Sequence, residues 1–138
     1  MERTLIILKP DCMGKKLEGV VLDRFLKAGF SLLACKMMRL DAEILSRHYA
    51  HLKNEVFFPK IVEFMTSDRV LVCLFEGDGA IVRAREMLGP TDSTKAVAGT
   101  IRGDFGTDNR MNIAHASDSV ESVERETATF FLKSEIFA

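Results

Sequence analysis

A chain of 138 residues with 47% apolar and 28% charged side chains is long and apolar enough to fold as one domain, residues 1–138, around a proper core. Those proportions exclude the disordered class. Nineteen Lys and Arg balance 20 Asp and Glu, so the basic excess that non-specific nucleic-acid binding draws on is absent and a nucleic-acid partner is not expected.

In chain order, Thr4–Leu8 predicts a short strand that stops at Lys9-Pro10-Asp11. Glu18–Ala28 predicts a helix, with Val21, Phe25 and Ala28 on one face and Gly29 as its stop. Ser31–Leu40 predicts a second strand, largely buried on both faces. Asp41 is a suitable N-cap for a helix whose Leu45, Tyr49 and Leu52 share a face. Phe57–Met65 repeats the helical spacing, and Val70–Phe75 is a continuous apolar run, as in a central strand covered on both sides. A helix over Ala80–Leu88 follows. From Gly89 to Asn112 the periodicity is lost in a long loop of the kind that is usually functional. Ile113–His115 predicts a short strand, and Asp118 or Ser119 caps a last helix reaching Leu132. With the two-helix insertion set aside, the order is βαββαβ. That is an α+β, ferredoxin-like sandwich of four antiparallel strands backed by helices. No apolar run is long enough to span a bilayer, and no signal or transit pattern precedes the first strand, so no membrane is expected. Cys12, Cys35 and Cys73 are odd in number and far apart, which predicts free thiols in the cytoplasm.

The densest chemistry lies in Asn112-Ile113-Ala114-His115-Ala116-Ser117-Asp118-Ser119. It sets an imidazole between small residues, just before a helix start that welcomes an anion. Histidine can act as a neutral nucleophile near pH 7, and Glu126 on the following helix could hold one ring nitrogen while leaving the other free. Neither a P-loop nor a dinucleotide fingerprint occurs, so phosphates would be met by side chains. No zinc ligand set is apparent, and His48 and His51, with no carboxylate or cysteine at ligand spacing, are taken as structural.

The strings Glu2-Arg3-Thr4, Lys9-Pro10-Asp11, His48-Tyr49, Phe57-Phe58-Pro59, Met87-Leu88-Gly89, Gly99 to Phe105 (GTIRGDF) and His115 to Ser119 (HASDS) stand in the order and spacing of nucleoside diphosphate kinases. The resemblance covers essentially the whole chain. It implies transfer of a terminal phosphoryl group from a nucleoside triphosphate, mainly ATP, to diphosphates by a ping-pong route through phosphorylated His115. By the same resemblance Glu126 orients the histidine and Ser117 supports that pair. Lys9, Tyr49, Arg85, Thr91 and Arg102 hold phosphates, and Asn112 with Lys9 meets the ribose. Phe57 stacks on the base, Ile61 lines the same slot, and Mg2+ comes in on the nucleotide, with Asp118 the nearest carboxylate, through water. Relatives with so short a carboxyl end are mostly bacterial-type homotetramers or homohexamers.

Four departures from the family pattern stand out. Glu55-Val56 replaces an Arg-Pro common before the Phe-Phe pair, Ser93 stands where many relatives have proline, and Arg110-Met111-Asn112 replaces Gly-Arg-Asn. Asn109 takes the place of an apolar residue beside the base. Two other readings stay open at this point: a nucleotide sensor without catalysis, and a phosphocarrier that passes the group from His115 to another protein.

Overall fold

The computed structural model describes residues 1–138. Strand β1 (Glu2–Leu8) lies inside a four-stranded sheet of order β2-β3-β1-β4, with β2 at Ser31–Met38, β3 at Val70–Gly77 and β4 at Ala114–Ala116. Every pairing is antiparallel. This is the expected ferredoxin-like arrangement. Because side chains alternate across a strand, β1 divides its apolar residues between two cores. Ile6 and Leu8 meet Val21 and Phe25 on one side, whereas Leu5 and Ile7 meet Leu45, Val123 and Phe130 on the other. Helices α2 (Glu18–Lys27) and α5 (Ala80–Leu88) cover the first face. Helices α3 (Ala42–His48), α4 (Phe58–Met65) and α7 (Val120–Phe130) cover the second.

Helix α2 shows how local chemistry sets a boundary. Gly29, at φ 95°, donates its N–H to the Leu26 carbonyl, and the Phe30 N–H reaches back to Phe25 O. These two bonds form a Schellman stop, and the Phe25 and Phe30 rings pack edge to face 5.5 Å apart as its hydrophobic contact. Asp41 caps α3 as expected, accepting from Ile44 N at 2.8 Å, and Ser119 rather than Asp118 is the N-cap of α7.

The structure departs from the sequence reading in several places. Pro10 ends β1 but also opens a short helix, α1 (Pro10–Gly14), at a position where its missing N–H costs nothing. Helix α3 stops at His48, so Tyr49 is its C-cap and Leu52 lies in the turns beyond. The long loop holds a 3-10 turn, Ser93–Lys95, and a helix α6 (Ile101–Phe105) whose N-cap, Thr100, accepts from Gly103 N. Strand β2 is not buried on both faces: it is the sheet's edge, and Leu32, Cys35 and Met37 are exposed. The last helix ends at Phe130, and Ile113 lies outside β4.

Two glycines in the left-handed region separate strain from crowding. A Cβ on Gly29 would meet nothing within 4 Å, whereas one on Gly89, at φ 86°, would sit 2.9 Å from Thr100 Oγ1. Chemical denaturation should therefore show Gly29→Ala losing about 1 kcal/mol, from backbone strain alone. Gly89→Ala should lose about 2–3 kcal/mol, because Thr100 must move as well.

Candidate active site

His115 is the middle residue of β4 and pairs with Ile7. That register turns its ring toward α3 and α7, while the flanking Ala114 and Ala116 face the opposite core. From α7, the Glu126 carboxylate meets the ring: His115 Nε2 is 3.1 Å from both Oε1 and Oε2. A carboxylate can only accept, so the proton sits on Nε2 and Nδ1 keeps its lone pair. Glu126 is 4% exposed and is itself held, since Ser117 Oγ donates to Oε1 at 2.5 Å. Burial draws the Glu126 carboxyl upward. The hydrogen bond from His115, the positive charge that ring carries when protonated, and the Ser117 hydroxyl outweigh burial and keep it below the usual carboxylate range.

His115 opens into a cleft of about 580 Å³. One wall comes from the insertion between β2 and β3, where Leu52, Phe57, Ile61, Phe64 and Met65 form an apolar side and Tyr49 lies beside them. The other wall is cationic and polar: Lys9 at the end of β1, Arg85 on α5, Thr91, Arg102 on α6, and Asn112. All the side chains expected around a nucleotide therefore line one cleft. Ser117 and Glu126 stand behind the histidine. Asp118 lines an adjoining recess with Arg85 and Thr91.

These cations are held in place before any ligand arrives. Lys9 Nζ donates to Asn112 Oδ1 at 2.7 Å, and the Asn112 amide donates in turn to Thr91 O at 2.9 Å. Arg102 spreads its guanidinium over three backbone carbonyls, Nε to Asn112, Nη1 to Gly89 and Nη2 to Ala114, at 2.7–3.0 Å. It thus ties the long loop to β4 while facing the cleft, so it shapes the site as well as charging it. Arg85 Nη1 donates to Ala116 O at 3.1 Å. Burial and the nearby Arg102 charge push the Lys9 ammonium down to about 8, and burial with Arg85 brings Arg102 to about 10. The Tyr49 hydroxyl is pushed up to about 12 by burial and stays protonated.

Sequence reading missed three features. No carboxylate stands at ligand spacing from His48 in the sequence, but the fold brings one from α7: Nδ1 is 3.8 Å from Glu126 Oε2. Its ring packs edge to face on that of His115, with centroids 4.6 Å apart. His48, His115 and Glu126 bring ligand-type atoms within 4.8 Å of one another, so a set suited to a nitrogen-preferring cation does converge here. Burial, then the neighbouring His115, lowers the His48 pKa to about 3 and keeps its ring neutral. The second feature is Ile113, at φ 77°, where a β-branched residue is a strong outlier. The Asp11 carboxylate, accepting from Ile113 N at 3.0 Å, and the Lys9 N–H, donating to Ile113 O at 2.8 Å, hold it there. The third is Arg110, a further cation on the cleft wall beside Asn109. Its place in an aperiodic loop gave no signal.

The nucleoside diphosphate kinase family model matches residues 2–136. A nucleoside diphosphate kinase of Methanocaldococcus jannaschii is 46% identical over 99% of this chain and 97% of its own length. Among solved structures, the Aquifex aeolicus nucleoside diphosphate kinase superposes with a TM-score of 0.94 at 47% identity, covering 98% of each chain. A halophilic relative from Halobacterium salinarum, solved with CDP, gives a TM-score of 0.96 at 37% identity over 99% of this chain and 91% of that one. The family model spans the residues of the cleft and those behind it, and with that match and a near-full-length relative at 46% identity the chain belongs to the nucleoside diphosphate kinase family.

Proposed function

We propose that the protein moves the terminal phosphoryl group of a nucleoside triphosphate, mainly ATP, onto nucleoside diphosphates through a phosphorylated His115, one domain of residues 1–138 doing the whole reaction in the cytoplasm. One observation carries this reading: Nε2 of His115 is committed to Glu126, which leaves Nδ1 as the nucleophile in a cationic cleft. In the first half-reaction Nδ1 attacks the γ-phosphorus, the bond to the β,γ-bridging oxygen breaks, and the diphosphate departs. In the second, another diphosphate takes the group back off the ring. Glu126 offsets the positive charge that develops on the imidazole, and Ser117 keeps that carboxylate aimed. The neutral His48 ring places no opposing charge beside it.

Phosphoryl transfer asks the protein mainly to position reactants and neutralise charge. Lys9, Arg85, Thr91, Arg102 and Tyr49 meet the phosphates. Asn112 with Lys9 receives the ribose hydroxyl, and Phe57 and Ile61 take the base. Stacking does not test hydrogen-bond edges, so all bases are accepted. Magnesium would arrive on the nucleotide's phosphates with water filling most of its shell, and it supplies charge neutralisation on the transferring oxygens. Asp118 suits an outer-sphere role. Its carboxyl is ionised, held low first by the Ser122 hydroxyl at 2.6 Å, and oxygen is the donor that Mg2+ prefers. A homotetramer or homohexamer is supported by apolar side chains left in water, such as Val97 on the long loop. Light scattering should return four or six times the protomer mass.

Incubation with γ-labelled ATP tests the intermediate. The label should be acid-labile, base-stable and chased into GTP by unlabelled GDP. His115→Ala should carry no label and lose at least ~10³-fold in exchange. A folded His115→Ala protein that keeps most of its activity would overturn the assignment.

Lys9 gives a pH signature. Its folded pKa of about 8 lies below the ordinary 10.5, so between those values the folded protein binds fewer protons than the unfolded chain. The stability penalty of the buried charge is full below pH 8 and is relieved as pH rises through the window. Phosphates favour the charged form, so calorimetry should show ADP binding weakening above about pH 8 with coupled proton uptake. Lys9→Gln should bind more weakly at every pH and lack that alkaline limb.

A further inference from the structure

His48 is 3% exposed, yet neither of its ring nitrogens has a hydrogen-bond partner. Buried polar atoms are almost always satisfied, so an imidazole with both nitrogens stranded needs a reason. Its surroundings supply one. Ser117 Oγ donates to Glu126 Oε1, and the other oxygen, Oε2, lies 3.1 Å from His115 Nε2 and 3.8 Å from His48 Nδ1. Three donor atoms, one from each residue, stand within 4.8 Å of one another. We propose that His48, His115 and Glu126 bind a zinc-type divalent cation, and that the bound cation switches off phosphoryl transfer at His115. The switch rests on the reading of His115 as the nucleophile.

The spacing suits such an ion. Bonds of about 2.0–2.2 Å to nitrogen and oxygen set the ligands of a tetrahedral zinc about 3.3 Å apart. The two distances at Oε2 fall on either side of that value, so small side-chain rotations close the set around a cation. Two imidazoles and a carboxylate are the protein ligands of an open zinc site, with water as the fourth. That water has room, because a recess of about 190 Å³ borders all three side chains. Magnesium does not compete here, since it prefers octahedral oxygen ligands and keeps its water. Coordination also accounts for the inhibition. A neutral imidazole has one proton and one lone pair. Zinc takes the lone pair at Nε2, so the proton that Nε2 gave to Glu126 moves to Nδ1. No proton is lost overall, but Nδ1 no longer has a lone pair for the γ-phosphorus. Glu126, drawn onto the metal, no longer offsets charge on the ring.

The test uses the full chain in its native assembly, without nucleotide. Cobalt(II), a coloured stand-in for zinc, should bind one ion per protomer with a tetrahedral spectrum and no sulfur-to-metal band. Zinc should displace it. His48→Gln should weaken binding by more than the ~10²-fold that loss of an outer-shell partner costs. His51→Gln, altered in the same recess but outside the donor set, should bind as the wild type does. A second readout needs no substitution: nitrogen NMR of the three histidines should show zinc moving the His115 proton from Nε2 to Nδ1. With magnesium in excess, zinc should stop both exchange and labelling by γ-labelled ATP, and a chelator should restore them. His48→Gln should tolerate at least ~10²-fold more zinc. An octahedral spectrum, a thiolate band, an unmoved His115 proton, or equal metal sensitivity in His48→Gln would overturn the proposal. Cobalt bound as expected by a protein that never exchanges phosphoryl groups would uphold the site and sink the assigned reaction instead.

Discussion

A strand of three residues carries His115, and its register against β1 is the constraint on which the site depends. With Ile7 opposite His115, the ring faces Glu126; a slip of one residue would turn it into the other core, away from its carboxylate. Three ladder pairs cannot hold such a register by themselves. It is fixed from the sides instead. Arg102 grips the carbonyls of Asn112 and Ala114, Asp11 grips the Ile113 N–H, and Ser117 exchanges bonds with the Leu5 backbone. The left-handed conformation of Ile113 is the strain those bonds contain, and it turns the chain into β4 at the angle that presents the ring.

The same bonds explain how a nearly neutral chain keeps a cationic cleft. Lys9 and Arg102 are costly to desolvate, and the depressed affinity of each for its proton measures that cost. Neither is paired with a carboxylate that would cancel it. Each is tied to neutral acceptors instead, Lys9 to the Asn112 amide and Arg102 to backbone carbonyls. Orientation is fixed, and the net positive charge remains available to an anion. Asn112 joins the two, and this makes it a structural centre of the cleft.

What could be read from the sequence follows from what leaves a periodic trace. The VLVCLF run of β3, the α2 stripe with its glycine stop, and the capping residues Asp41 and Ser119 all express local rules. Helices α1 and α6, at five residues each, are too short to show a period, and the long loop looked formless although it contains one of them. Whether β2 was an edge depended on sheet order, which an alternating pattern does not encode. The cleft residues were recovered through the family resemblance, because singly Lys9, Tyr49 or Phe57 has an ordinary structural explanation. The approach of His48 to Glu126 left no trace in the sequence, because the carboxylate arrives on α7, by tertiary folding. Ile113 gave no signal, since a β-branched residue is among the last expected in the left-handed region.

The departure at Ser93 shows how one local change is absorbed. Proline at this position stiffens the loop in many relatives, but it has no N–H. Here the Ser93 N–H donates to Asp108 O at 3.2 Å, a bond that joins the two limbs of the 89–112 loop and that proline could not make. The exchange is incomplete, because the Ser93 hydroxyl is buried with no partner, a deficit of about 1–3 kcal/mol for a stranded polar group. Gly106 completes the arrangement: any Cβ there would collide with the Ser93 side chain, so the glycine leaves the room that the serine occupies. Rigidity intrinsic to one residue has been replaced by a hydrogen bond and a close packing contact. Both lie in the loop that supplies Thr91 and Arg102 to the cleft, so the stiffness of the cationic wall now depends on a pairing rather than on a ring.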